Sequence, residues 1–220
     1  MYELARGPLM WIAASVFFAG VGYRVFQMFR LTEKKERAYS PTSGVREDSP
    51  EERKLSLIIY LQNTLFGRHP VMASVSLVFH LCLVVVPIFT RAHNLLWRES
   101  WGIGFFSLPD GVIDVMTAVV LLGALFFFVR RLAVPRVRAI STLSDHLVLF
   151  IAAAPFLTGF IAYHQWADSK TIITLHILTG QLMLIAIPLT KVGHMVFFIF
   201  ARTFFGSEFS LWRGSRKWST

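Results

Sequence analysis

The sequence predicts an all-α integral membrane bundle of five transmembrane helices, with its N-terminus outside and its C-terminus cytoplasmic. Three observations carry that prediction. The first is composition: 55% of the 220 residues are hydrophobic and 15% aromatic, and the mean hydropathy is +0.56, whereas soluble domains hold about 45–50% apolar residues even with glycine counted. The second is that the apolar residues gather in runs near the 20 or so residues that a bilayer core requires. The third is the placement of charge. Of 22 Lys and Arg, nine lie from Arg24 to Arg68, four from Arg130 to Arg138 and five from Lys191 to Lys217. Basic loops are retained on the cytoplasmic side, so alternate connections face the cytoplasm. The net charge of +9 therefore reports topology, and no nucleic acid or other polyanion is implied.

Taken in order, the first span covers residues 8–29. Its apolar run is long, reaches to Tyr23-Arg24 and lacks a small-residue cleavage site, so it is expected to be retained rather than removed as a signal. Residues 30–70 form a cytoplasmic loop, its first half polar and rich in charges of both signs. Within it, the short apolar run 55–66 (LSLIIYLQNTLF) reads as an interfacial helix. The second span, 71–95, contains His80, Pro87 and His93, and an aromatic, glycine-rich outer connection follows it. The third, 112–129, stops at Arg130-Arg131. The fourth, 146–166, is joined by a very short loop to the fifth, 171–201, which exceeds the bilayer and must tilt or protrude. The whole chain reads as one membrane domain. The single cysteine, Cys82, is a structural thiol and excludes four-cysteine iron–sulfur or cysteine-rich zinc sites in this chain.

The chemistry rests with the histidines. Ionisable groups inside spans are costly and usually face the bundle interior for a functional reason. His176 and His194 are eighteen residues apart, which on one continuous helix means about five turns, one face and roughly 27 Å. Such a helix is suited to holding two cofactors in series. Imidazole suits haem iron, and two axial histidines leave no open position, which favours electron transfer over oxygen chemistry. Three partner sets compete on spacing. His80 and His93 are 13 apart and nominally about 140° out of phase, a mismatch that a kink at Pro87 would correct. His69 and His80 share a face, but His69 precedes a proline, where helix is disfavoured. His146 and His164 repeat the eighteen-residue spacing at the ends of the fourth span. Spacing alone does not choose among them. A haem-free alternative, a membrane anchor or transporter component with structural intramembrane histidines, stands beside all three.

The run from Arg130-Arg131-Leu132 to Pro135-Arg136-Val137-Arg138-Ala139, with Ser141-Thr142 and Asp145 after it, resembles the basic turn in the gamma subunit of respiratory nitrate reductase. The final span resembles it too, with His176 after Leu175, then Gly180, Pro188, Lys191 and His194. Phe79-His80, Pro87 and a second histidine 13 residues on, with the stretch from Pro155 to Phe160, are more similar to the cytochrome b subunits of the Tmc and Hmc transmembrane redox complexes of sulfate-reducing bacteria. The chain departs from the nitrate-reductase pattern in that second spacing, where Thr90 stands ten residues after His80. The resemblance implies a di-haem b-type cytochrome of the bacterial inner (cytoplasmic) membrane, serving anaerobic respiration or sulfate reduction. It would carry electrons between the menaquinone pool and two partners, a cytoplasmic iron–sulfur subunit and a periplasmic multihaem cytochrome c. It implies no centre for substrate chemistry in this chain. It implies two haem b, held by His80 with His194 and by His93 with His176. Gly180, one turn after His176, suits either close approach of a porphyrin or plain helix packing, and Arg130 and Lys191, with Arg131 and Arg136, are candidates to meet haem propionates besides their ordinary role in topology. The resemblance also implies a quinone, menaquinone, beside one haem; His164, Trp166 and Asp168 at the outer rim, with Arg91 opposite, are polar enough to bind one, though a membrane rim ordinarily carries such residues. His69 and His146 are expected to be interfacial and structural.

Overall fold

The computed structural model describes residues 1–31 and 69–194; the expected interfacial helix at 55–66 and the end of the fifth span lie outside them. Every regular element described is helical. Five helices among the described residues are long and apolar enough to cross a membrane: Tyr2–Gln27, Pro70–Phe89, Asp110–Ala133, Leu143–Tyr163 and Ser169–Leu189. These are the features of a multi-pass membrane protein, and the count matches the five predicted spans. Large apolar side chains such as Trp11, Phe18, Phe26, Leu122 and Phe150 are exposed along them, as suits surfaces that face lipid.

The elements are α1 (Tyr2–Arg6), α2 (Pro8–Leu31), α3 (Pro70–Phe89), α4 (Arg91–Trp101), α5 (Asp110–Ala133), α6 (Pro135–Ile140), α7 (Leu143–Tyr163) and α8 (Ser169–Leu189), then a 3₁₀ turn, Lys191–Gly193. The chain divides into two compact units, Met1–Leu31 with Ser141–Thr220, and Thr32–Ile140.

In the unit containing residues 141–194, α8 is the central element and packs against both α7 and α2. The α2–α8 approach is closest at Gly20: a Cβ there would lie 2.6 Å from Cβ of Pro188. Only glycine admits the rigid proline ring. The Gln181 side chain, 5% exposed, donates from Nε2 to the Ala5 carbonyl at 2.5 Å. Ala5 lies in the last turn of α1, where carbonyls lack helical partners. The amide thus meets a buried carbonyl that water cannot reach. Helix α7 begins with a capping box: Thr142 N–H donates to the Asp145 carboxylate and the Thr142 side chain takes the reciprocal bond. At its other end Gln165 adopts φ +54, with Trp166 N–H reaching back to the Ile161 carbonyl. This is the left-handed cap that glycine usually supplies.

In the other unit α3 packs on α5. Phe79 lies edge-on to Phe127 and over Gly123, where a Cβ would stand 2.7 Å from the Phe79 ring. Cys82 is buried in the same seam.

Two spans break where a continuous helix was expected. The helix of the second span ends at Phe89, not near residue 95. Pro87 removes one backbone hydrogen bond from the final turn, Thr90 is extended at ψ 129, and α4 starts anew at Arg91. The break leaves no carbonyl stranded. The Val86 carbonyl accepts from Thr90 N–H, that of Pro87 from His93 Nδ1, that of Ile88 from Asn94 Nδ2 and that of Phe89 from Leu108 N–H. These are the four carbonyls a helix end leaves open. The helix of the fifth span likewise breaks after Leu189. Pro188 weakens the last turn, and Thr190 is extended at ψ −174. The Thr190 hydroxyl then accepts from Val192 N–H to start the 3₁₀ turn. His176 and His194 therefore do not share a continuous helix, and the five-turn, one-face geometry expected for them does not hold.

Candidate functional site

Each of the four candidate ligand histidines directs Nδ1 at a backbone carbonyl. His80, on α3, reaches Ser76 at 2.6 Å; His93, on α4, reaches Pro87 at 2.8 Å; His176, on α8, reaches Pro155 at 2.9 Å; and His194, closing the 3₁₀ turn, reaches Lys191 at 2.6 Å. A carbonyl can only accept, so Nδ1 carries the proton and the ring lone pair lies on Nε2. This is the arrangement that fixes tautomer and ring orientation in metal-ligating histidines and raises their basicity. These residues fit an axial role through Nε2. Among the described residues no group of three or more His, Cys, Asp or Glu could hold a bare metal ion. A planar macrocycle that supplies its own four nitrogens needs only two such rings.

His176 has the most developed surroundings. Its bond to Pro155 crosses from α8 to α7, and the Thr158 hydroxyl lies 3.3 Å from Nδ1 and 3.1 Å from the Thr179 hydroxyl. Thr158 and Thr179 each also donate within their own helices. The ring lies against α7 at Gly159, where a Cβ would stand 2.9 Å from Cε1. Pro155, Thr158 and Gly159 thus form a seat for the imidazole. Sequence reasoning missed that role. Its signal was the hairpin itself: with α7 ending at Tyr163 and α8 starting at Ser169, equal distances from the turn place the Pro155–Gly159 stretch opposite His176.

The other predicted residues fall as follows. Gly180, one turn beyond His176, faces open space: a Cβ there would meet nothing within 4 Å, so the backbone is accessible to a flat group. Arg130 lies half-buried in the last turn of α5. Lys191 is engaged by the Asp145 carboxylate at 2.8 Å, which ties the 3₁₀ turn to the start of α7, so its ammonium is already committed to an anion. His80 sits edge-on to Phe79 at 5.3 Å. His93 serves also as a cap for α3, and His194 is exposed.

The remaining histidines have other settings. His69 occupies the N-cap of α3 with φ −141, outside the helix as Pro70 requires, so it shares no helical face with His80. His146 lies in the first turn of α7. His164 caps the end of α7 in an aromatic cluster, stacked on Trp166 at 5.1 Å and 4.4 Å from Phe160. Asp168, the N-cap of α8, accepts from Thr171 N–H, and that bond holds its carboxyl below the ordinary value of 3.8. Arg91 begins α4 and lines a cleft with Arg98.

No family model matches the chain. It is 33% identical over 216 residues to a protein of Nitratidesulfovibrio vulgaris strain Hildenborough that bears only the name "Protein", an alignment covering 97% of this chain and 96% of that one.

Proposed function

The chain belongs to the family of that Nitratidesulfovibrio vulgaris protein, and from this and the histidine geometry we propose that it is a di-haem b-type cytochrome, the membrane subunit of a respiratory redox complex. The observation that carries the reading is the shared contact of His80, His93, His176 and His194, each with Nδ1 within hydrogen-bond distance of a carbonyl. A sulfate-reducing relative agrees with the cytochromes that the sequence resembles. His80 with His194 and His93 with His176 are the axial pairs carried over from that resemblance. Haem b, when bound, supplies reversible one-electron transfer. The protein's own residues hold and orient it: the four carbonyls fix ring direction, the α7 seat immobilises His176, and the open backbone at Gly180 admits the macrocycle edge.

In this reading the subunit lies in the bacterial inner membrane with its N-terminus outside. It exchanges electrons between menaquinone and its partners, a cytoplasmic iron–sulfur subunit and a periplasmic multihaem cytochrome c. Substrate chemistry belongs to those partners. The alternative of a haem-free anchor or transporter component draws on the same bonds, since His93 and His194 also satisfy carbonyls at helix ends. A reduced-minus-oxidised spectrum and the haem-to-protein ratio of the purified chain decide between them. Two haem b per chain are expected, falling to one in His80→Ala and in His176→Ala and staying at two in His146→Ala. Absence of a b-type α-band would sink the cytochrome reading. Retention of both haems in His93→Gln together with loss of one in His164→Ala would overturn the ligand set.

A further inference from the structure

A cleft of about 590 Å³ opens between α4 and the chain leading into α5, lined by Arg91, Asn94, Arg98, Phe105, Ser107 and Asp110 among others. Its volume falls within the roughly 300–1,000 Å³ common for ligand sites. Arg91 and Arg98 are seven residues apart on α4, two turns, so both long side chains leave one face from Cα positions about 10 Å apart along the axis, and both line the same cleft. Neither forms an ion pair with a described residue. Helix stability does not account for Arg91. It occupies the first position of α4, where the helix dipole disfavours a cation.

The cleft is also preformed. Asn94, 5% exposed, donates to the Ile88 and Thr90 carbonyls and accepts from Phe105 N–H at 2.9 Å, which fastens the loop to the end of α3. Arg98 lies across Gly104, where a Cβ would stand 3.1 Å from Nε and 3.3 Å from an Nη. Glycine at 104 gives the guanidinium its seat. Around this site Trp101, Ile103, Phe105 and Phe106 are exposed, and Trp97 packs edge-on to Phe105. Such aromatic side chains mark headgroup depth, and the cleft lies at the end of the α3–α5 pair opposite Arg130 and Arg131.

We propose that this cleft binds a phosphate-bearing anion, its two arginines forking onto the phosphate oxygens and its ordinary occupant the phosphodiester of an anionic membrane lipid. Two guanidinium groups and the Asp110 carboxylate leave the lining one charge positive, which suits a monoanionic diester. The site does not depend on the chain carrying haem.

The test is native mass spectrometry of the full chain in phosphatidylcholine nanodiscs titrated with phosphatidylglycerol, with inorganic phosphate as competitor. One phosphatidylglycerol per chain is expected to be retained over phosphatidylcholine, its affinity reduced at least tenfold in Arg91→Gln and in Arg98→Gln. Arg98→Lys should fall between, keeping the charge but losing the fork. Should a glutamine variant fail to fold, Asp110→Asn supplies the opposite sign, since removing the carboxylate should tighten binding several-fold. Competition by millimolar phosphate would show that water-borne esters share the site, and no competition would assign it to lipid; both keep the proposal. Equal retention of phosphatidylcholine, undiminished binding in both glutamine variants, or weaker binding in Asp110→Asn would overturn it.

Discussion

Replacing Gly159 with alanine tests the His176 seat directly. The new Cβ would stand 2.9 Å from Cε1 and 3.2 Å from Nδ1 of the ring, against an ordinary carbon–carbon separation of about 3.5–4.0 Å. The imidazole must withdraw by about 0.6 Å or more. That carries Nδ1 from 2.9 Å to beyond the useful range from the Pro155 carbonyl, about 3.2 Å. Overpacking costs about 1–3 kcal/mol and the lost bond about 0.5–1.5 kcal/mol. Alanine recovers about 1 kcal/mol through its helix propensity, so a net destabilisation of about 0.5–3.5 kcal/mol follows from these terms. The assay is thermal unfolding in detergent alongside haem content by pyridine haemochromogen. Gly159→Ala should melt lower and retain one haem where the parent retains two. Gly180→Ala is the control, because its Cβ meets nothing in the protein: its melting should hold, while any haem loss there would report the macrocycle itself. Parent-like melting and haem content in Gly159→Ala would refute the seat.

Asn94→Ala should destabilise the protein by about 1–3 kcal/mol, because it removes three part-buried side-chain hydrogen bonds at the α3 break, and hydrogen exchange at Phe105 N–H should rise. Gln165→Gly should raise the melting temperature by an amount equivalent to about 0.5–1 kcal/mol, since glycine adopts the left-handed backbone of that cap without strain; a lower melting temperature would contradict the assigned conformation. Asp168 is held below the ordinary carboxylate value by its bond from Thr171 N–H. Its stabilisation is therefore present above about pH 4 and disappears as pH falls through the lowered folded value. Thermal scans should show Asp168→Ala below the parent at pH 7, with the gap narrowing progressively below pH 4.

Hydropathy and charge were enough to read five spans, because lipid imposes a continuous apolar run that few other contexts produce. They did not show two helix breaks, for one reason: hydrophobicity continues past a break that backbone conformation decides. Thr90 and Thr190 both turn extended shortly after a proline, and both use their hydroxyl on the preceding turn, to Val86 and Ala186. A Pro-x-x-Thr or Pro-x-Thr sequence inside an apolar run was the available sign. The histidines were legible as a set, since ionisable groups inside apolar runs are conspicuous. Apart from His80, which bonds the Ser76 carbonyl of its own helix, their orientation was not, because it depends on carbonyls that only the folded break or the paired helix presents. For His176 the partner comes from another helix altogether, and Gly159 looks like any small residue until the hairpin register is known. Lys191 was read for its charge alone, and Asp145, forty-six residues earlier, takes it.

The end of α3 has a consequence for how such chains can diverge. Its four final carbonyls are met by Thr90, His93, Asn94 and Leu108, so the partners are spaced by chain length as much as by residue type. A substitution at His93 or Asn94 costs only that side chain's own bonds, and the backbone donors of Thr90 and Leu108 persist. A single inserted residue between Phe89 and His93 would rotate the next helix by about 100° and withdraw several partners at once. Homologous chains should therefore vary in identity across residues 86–108 while keeping their length constant, and gaps in an alignment should fall elsewhere.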